Sequence, residues 1–342
     1  MVGRALAFSS PDNIALARDR FVPVAGDEWY YRRRRDPEGE FFQRIADQGP
    51  RRDRGRTRQG VYVFSAGGTF LAYEPGDARP EQIQSTLRAA LEAWQRLPEG
   101  DRRPPGLPAR ERSDPRFART PPEGGLILRV HARILDRGAD GRACAARGAV
   151  HIDQREVPPL AQYDHLWLTR SEWRSLIPPD GRPGLAHPVP LEIARRILRF
   201  HLVDNTRGEP AFWRPRDVRS SSMTVRVVDA SSAGVRVRLD GSALLATGAD
   251  AARAERGFAV RLLGYLHYDA VADKIDRFDL LALGDHWGDG PYTVGSRKGR
   301  SPLGIAFDLV RGETEADRLP PQAARDIEGY FSASSPVERP AP

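Results

Sequence analysis

The chain has 342 residues, which exceeds what a single hydrophobic core usually organises, so two domains are expected. Its 40% apolar and 29% charged residues are typical of a globular protein, and no stretch reaches the roughly 18–20 apolar residues that a membrane-spanning helix needs. The net charge of +7 comes almost entirely from arginine, since lysine occurs only at Lys274 and Lys298. Interspersed acidic residues weaken the case for a nucleic-acid partner.

The single cysteine, Cys144, excludes an intramolecular disulfide and a cysteine-rich zinc site. The apolar stretch near the N-terminus is too short for the core of a signal peptide, so the sequence predicts a cytoplasmic protein that does not enter a membrane. No Walker loop, nucleophile elbow, H-E-x-x-H motif or strand-linked G-x-G-x-x-G is present. The sequence therefore identifies no cofactor.

Residues 1–98 alternate between helical and strand patterns. The predicted elements are a helix over 11–20, a buried strand over 21–25, a helix over 36–48, a hairpin made of 60–64 and 69–73, and an amphipathic helix over 80–97. The last helix should bury Ile83, Leu87, Leu91 and Trp94 on one face. This order of elements is typical of a small α/β domain.

These elements resemble the thioredoxin-like fold over residues 1–98. The resemblance is carried by the segments FVPVAGDE, EFFQRIADQ, QGVYVFSAGGTFLAYEPG and IQSTLRAALEAW. The redox chemistry of that family needs a Cys-x-x-Cys pair at a helix start, and the equivalent turn here, residues 9–12, has no cysteine. The family's cis-proline is also missing near Gln59 and Gly60. The resemblance therefore implies a thioredoxin-like module without redox activity, used for docking.

Residues 99–125 form a predicted Pro/Arg-rich linker, because proline, glycine and alternating charge leave little apolar material to bury. Residues 126–331 are predicted to be a mainly β domain, either a sandwich or an open barrel, with one or two helices on its outside. Its central feature is a long hairpin over 257–288, in which apolar residues recur at every second position. Residues 332–342 are predicted to be a disordered tail.

Limited proteolysis is expected to cut first between residues 98 and 125, since proline and charge there oppose compact packing. Mass spectrometry of the early fragments would locate the cut. Earlier cleavage inside residues 258–281 would contradict the two-domain interpretation.

Polar residues at the ends of predicted elements supply the candidate catalytic groups. They are His201, Asp204, His267, Asp269, Asp285 and His286. His267 and Asp269 lie two positions apart on one strand, so both can face the same side, where imidazole and carboxylate suit a metal ion or an acid–base pair. The hairpin places His267 near its turn and His286 near its open end, which separates them. The alternative is that these residues cap strands and satisfy backbone groups in turns.

Arginines form a second candidate site, for partner binding. The run consists of Arg32, Arg33, Arg34 and Arg35, beside Trp29, Tyr30 and Tyr31. Arginine with interleaved aromatic residues can bind phosphates or stack on bases. Acidic residues within a few positions favour a solvated face instead.

Two functional hypotheses follow. The first is a non-redox binding or interaction protein, in which the β domain takes a protein or small-molecule ligand. The second is an enzyme with a His/Asp site, metal-dependent or not, in the β domain or at the domain junction. Convergence of three candidate groups within about 4 Å of one point would favour the enzyme, because ligation and proton transfer need short contacts.

Overall fold

The computed structural model describes residues 8, 10–76, 78–103, 119–146, 150–152, 155–157, 161–178 and 181–333. The chain divides into two compact units, Met1–Arg119 and Thr120–Pro342. Most of the predicted linker (99–125) and of the predicted tail (332–342) lies outside the described residues. The domain assignments made from the sequence therefore stay predictions.

The first unit combines helices with one short hairpin. Its elements are α1 (Pro11–Arg20), α2 (Glu28–Arg33), α3 (Pro37–Gln48), β1 (Val61–Phe64), β2 (Phe70–Glu74), α4 (Pro80–Arg96) and α5 (Glu99–Arg102). Strands β1 and β2 pair antiparallel. The amphipathic face of α4 is confirmed at Ile83 and Leu87, which are buried in the core of this unit, but Trp94 is 40% exposed.

The strand predicted over residues 21–25 is wrong. This segment is extended but belongs to no strand, and Val22 and Val24 are 90% and 73% exposed. The Phe-Val-Pro-Val pattern favours extended backbone, yet a strand also needs a neighbour to pair with, and Pro23 has no N–H to donate. Phe21 alone packs against the core. The thioredoxin-like assignment consequently remains a prediction.

The second unit has a strong β content, as predicted. Its strands are β3 (Leu126–Arg137), β4 (Ala143–Ala145), β5 (Val150–Ile152), β6 (Arg155–Val157), β7 (Ala161–Leu168), β8 (Ala186–Pro188), β9 (Val218–Ala230), β10 (Gly234–Ala246), β11 (Gly257–Asp269), β12 (Lys274–Trp287) and β13 (Ser301–Val310). Its helices are α6 (Arg170–Ser175), α7 (Leu191–Arg196) and α8 (Ile327–Phe331), with short 3-10 turns at Pro215–Asp217, Ala251–Arg253, Ala316–Arg318 and Gln322–Arg325.

Nine strands form one antiparallel sheet. Its order is β4-β3-β13-β12-β11-β10-β9-β8, and β7 also pairs with β3. The central hairpin predicted from the sequence is confirmed as β11 and β12, with Gly257 opposite Trp287 and Asp269 opposite Lys274. The chain is thus mixed α/β with a large antiparallel sheet.

The sheet has an inner and an outer face. Along β11 the buried positions Val260, Leu262 and Leu266 alternate with the exposed positions Leu263 and Tyr265, which is the period of a half-buried strand. The inner residues join one core with the helical segment that begins at α7 and with α8. None of the described helices is long and apolar enough to span a membrane.

The sequence predicts one or two helices on the outside of the mainly β domain, but the helical segment at residues 191–201 is largely buried. Helix α7 continues into a π-helical turn at Ile197–His201, and every residue of that turn is buried. The physical reason is that Ile193, Ile197, Leu198 and Phe200 are apolar on more than one side of the helix, so exposed side chains remain only at Leu191 and Arg195.

Candidate functional site

A buried segment that is rich in polar residues passes through the interior of the second unit. All residues from 196 to 208 are buried. Its polar members are Arg196, Arg199, His201, Asp204, Asn205, Thr206 and Arg207. Buried polar groups need partners, and π-helical turns are common at functional sites, so the contacts of this segment decide what it can do.

His201 joins the helical segment to the sheet and to α8. Its Nε2 lies 3.1 Å from the hydroxyl of Tyr330, which also accepts the N–H of Trp167 at 3.1 Å. Its Nδ1 lies 3.5 Å from a carboxylate oxygen of Asp164. Burial raises the pKa of Tyr330. The phenol therefore stays protonated, and its contacts with His201 and Trp167 hold the edge of β7 against α8.

Asp204 and its neighbours form a second group, the interior cluster, made of the buried residues Asp204, Thr206, Arg207 and His286 and of Asp289, whose side chain is 46% exposed. The Asp204 carboxylate accepts the backbone N–H and the hydroxyl of Thr206, at 2.9 and 2.6 Å, and Nε of Arg207 at 2.7 Å. Arg207 also donates to Asp289 at 2.6 Å. Arg207 donates as well to the backbone carbonyls of Gly288 and Thr293, and its two carboxylate partners compensate its charge inside the unit.

His286 of β12 completes the interior cluster. It lines the same cavity as Asp204, together with Ser296 and Ser301, and that cavity has a volume of about 20 Å³. Such a volume holds about one water molecule. The interior cluster therefore has no room for an organic substrate.

Electrostatics in the interior cluster are set mainly by burial. Burial lowers the pKa of His286 to about 4, against the opposing effect of the Asp204 charge. Burial alone would raise the pKa of Asp204, but it is lowered by His286 when that imidazole is protonated, by the charge of Arg207, and by hydrogen bonds from Thr206 and Arg207. At neutral pH the cluster thus contains an uncharged imidazole and an ionised carboxylate.

The turn of the central hairpin holds the other predicted pair. His267 Nδ1 lies 2.7 Å from a carboxylate oxygen of Asp276. Asp269 instead accepts the backbone N–H groups of Val271 and Ala272, both at 2.9 Å, and thereby caps the turn. Hydrogen bonding from Ala272 lowers the pKa of Asp269. His267 and Asp269 are thus used separately, and no group of three His, Cys, Asp or Glu side chains in the described residues could hold a metal ion.

Asp285 points to the outer face of the sheet, away from His286. It forms an ion pair with Arg137 of β3. Both residues line an open cleft with a volume of about 400 Å³, which we call the outer-face cleft. The cleft is lined by Arg137, Ala143, Ser242, Ala243, Ala259, Val260, Arg261, Leu283, Gly284, Asp285 and Pro302.

The arginine run of the first unit spans the end of α2, and its side chains have local partners. Arg33 lies over the Trp29 ring at 4.3 Å, and Arg35 also interacts within the protein. Helix α2 begins where the Asp27 carboxylate accepts the Trp29 N–H at 2.8 Å. The acidic partners are Glu28 for Arg32 at 3.4 Å, and Asp36 and Glu38 for Arg34 at 2.6 and 3.0 Å.

Of the six candidate catalytic residues, the structure brings only Asp204 and His286 to one cavity. Sequence reasoning missed Arg137, Arg207 and Arg261. For Arg261 a signal existed, since it alternates with the apolar residues Val260 and Leu262 and so belongs to the outer face. Arg137 pairs with Asp285 and Arg207 with Asp289, both distant in sequence, so no local pattern could reveal these two pairs.

No family model, no curated protein and no solved structure matches this chain.

Proposed function

We propose that this chain is a non-redox binding protein that takes a small-molecule ligand in the outer-face cleft. The observation that carries the proposal is a difference in volume. The outer-face cleft measures about 400 Å³, whereas the cavity beside Asp204 and His286 measures about 20 Å³. Ligand pockets usually measure about 300–1,000 Å³, so the cleft is in the range of a binding site and the cavity is not.

The chemistry of the cleft also supports binding. Its floor contains Ala243, Ala259 and Gly284, while Leu283 provides an exposed apolar side chain. At Gly284 the neighbouring strand comes so close that an added Cβ would lie 2.0 Å from the Ala259 carbonyl oxygen. A shallow apolar floor with a few charged groups at its rim is the usual composition of a ligand site.

The alternative, an enzyme with a His/Asp site, has weaker support. A catalytic base must come within about 2.6–3.2 Å of the proton that it takes from a substrate. Thr206 and Arg207 already occupy the oxygens of Asp204, and the adjoining cavity admits about one water molecule. The interior cluster is better explained as a structural group that holds the buried segment in place.

We assign the docking role of a non-redox thioredoxin-like module to the first unit. Support comes from the order of α3, the hairpin β1–β2 and α4, and from the position of the chain's one cysteine in the second unit, where it is exposed. For the second unit we favour the open barrel over the sandwich, because nine of its strands belong to a single sheet.

Titration with the fluorescent anion 8-anilinonaphthalene-1-sulfonate tests the binding site. The full-length protein should enhance its fluorescence saturably with one site per chain, because the dye combines an apolar ring system with one negative charge. Leu283→Ser should weaken binding by about tenfold, since one buried aliphatic side chain contributes roughly 1.5–3 kcal/mol.

Val228→Ser is the matched control, because Val228 is a 42% exposed residue on β9, outside the cleft. It should leave the dye affinity unchanged. An absence of saturable binding, or equal losses in both variants, would contradict the proposed function. Urea unfolding of each variant would show that any loss of binding is not a loss of folding.

A further inference from the structure

We infer that the outer-face cleft selects amphipathic monoanions, with Arg261 binding a carboxylate and the exposed leucines of β11 and β12 binding an aliphatic chain. The inference rests on the proposed function and names the ligand class of the same site. It is carried by three features of the described residues: an arginine without a protein partner, a neighbouring carboxylate that is already neutralised, and an apolar path leading away from the arginine.

Arg261 is the anion-binding group. It lies on the outer face of β11, with Ser242 of β10 opposite on one side and Leu283 of β12 opposite on the other. Its side chain is exposed, and among the residues that the structure describes it has neither a hydrogen-bond nor an ion-pair partner. A guanidinium group can bind a carboxylate through two parallel hydrogen bonds, which fixes both the position and the orientation of the ligand.

The other charges of the cleft favour a single negative charge. Arg137 is paired with Asp285, so neither offers a free charge to the ligand. The rim therefore carries two positive charges and one negative charge, with the excess on Arg261. A cationic ligand would find no free carboxylate there, and a doubly charged phosphate would find only one free guanidinium group.

An apolar path begins beside Arg261. Leu283 lies opposite Arg261, the next pair on the same face is Leu263 with Leu281, and Tyr265 follows on β11. Leu263, Leu281, Leu283 and Tyr265 are 44%, 48%, 37% and 37% exposed. Residues on one face of a strand are spaced by about 6.7 Å, so the path from Arg261 to Tyr265 is about 13 Å long.

The far end of the path is closed by polar pairs. Tyr265 lies opposite Asp279, which forms an ion pair with Arg277 at 2.5 Å, and the next residue pair is His267 with Arg277. Burying an aliphatic chain beyond Tyr265 would desolvate these charges without gain. The site thus fits a ligand with a carboxylate head group and an aliphatic chain of limited length, such as a medium-chain fatty acid.

Competition experiments with 8-anilinonaphthalene-1-sulfonate test this selectivity. Decanoate, kept below the concentration at which it forms micelles, should displace the dye at least about tenfold more effectively than decan-1-ol, because a hydrogen bond to a charged group contributes roughly 1.5–3 kcal/mol. Arg261→Gln should abolish this preference while leaving the displacement by decan-1-ol unchanged. Decyltrimethylammonium should displace the dye less effectively than either.

Arg236→Gln is the matched control, since Arg236 is an exposed arginine on β10 near the hairpin end of the sheet, opposite His267. It should retain the preference for decanoate. Equal displacement by decanoate and decan-1-ol, with the dye still sensitive to Leu283→Ser, would overturn the anion selectivity and leave the binding site intact. If the dye itself does not bind, the proposed function fails together with this inference.

Discussion

Replacing Arg196 with methionine should lower the free energy of unfolding by about 3–5 kcal/mol. Arg196 is fully buried and donates to the Glu172 carboxylate at 2.8 Å and to the Trp167 carbonyl at 3.1 Å. It also donates to the carbonyls of Tyr330 and Phe331 at 3.1 and 2.6 Å. Methionine fills much of the volume but leaves a carboxylate and three carbonyl oxygens without their donor.

Arg195→Met on the same helix is the matched control, because Arg195 is half exposed and pairs with Glu192 at 3.3 Å. An exposed pair of this kind contributes about 0.2–1 kcal/mol, so the control should unfold at nearly the wild-type urea concentration. Adding Glu172→Gln to Arg196→Met should recover part of the loss, since the charge disappears while the amide oxygen can still accept the Thr169 N–H that caps α6. Equal stability of Arg196→Met and Arg195→Met would contradict the assignment.

The second unit should lose about 3 kcal/mol of stability between pH 6.5 and pH 4 through His286 alone. Burial lowers the pKa of His286 to about 4, while in the unfolded chain it titrates near 6.5. In this interval the unfolded state binds a proton that the folded state does not. The stabilisation is therefore complete above pH 6.5 and is lost progressively as the pH falls to about 4.

A second buried histidine acts in the same direction, and Asp204 acts outside this interval. Burial also lowers the pKa of His165, which adds to the loss. The lowered pKa of Asp204 matters only at more acidic pH, where its carboxylate becomes protonated. Urea unfolding of the full chain as a function of pH would measure the combined slope.

His286→Gln should flatten this pH dependence even if it lowers stability at neutral pH, because the variant has no proton to bind at that position. Val228→Ser serves as the control, since this exposed residue of β9 carries no ionisable group and its variant should retain the wild-type slope. Parallel curves for the wild type and His286→Gln between pH 6.5 and 4 would show that the buried imidazole does not carry the effect.

The sequence by itself determined the central hairpin of the second unit. In β11 and β12 the two-residue alternation of apolar side chains fixes which face is buried, and the polar turn between them fixes their register, so the central hairpin could be read locally. The same is true of α4, whose buried residues Ile83 and Leu87 follow the helical period. Such patterns depend only on neighbouring residues.

Tertiary structure decided the rest of the fold. The segment 21–25 has the composition of a strand but does not belong to one, because pairing depends on a partner elsewhere in the chain. The helix before His201 lies inside the second unit, because strands far apart in sequence surround it. Local propensity is a weak guide wherever the neighbours of a segment are supplied by distant residues.

For the candidate site, too, the sequence determined only part, and the tertiary structure decided the rest. The sequence predicted Asp204, His286 and Asp285 to be polar residues at the ends of elements. Only the tertiary structure brings Asp204 and His286 to one small cavity, and it places Asp285 at the open outer-face cleft. Arg137 meets Asp285 across 148 positions of sequence, whereas Arg261 has no partner among the residues that the structure describes. The sequence gives the type of each side chain. The order of strands in the sheet decides which charges neutralise one another, because ion pairs need contact distances that only the folded chain creates.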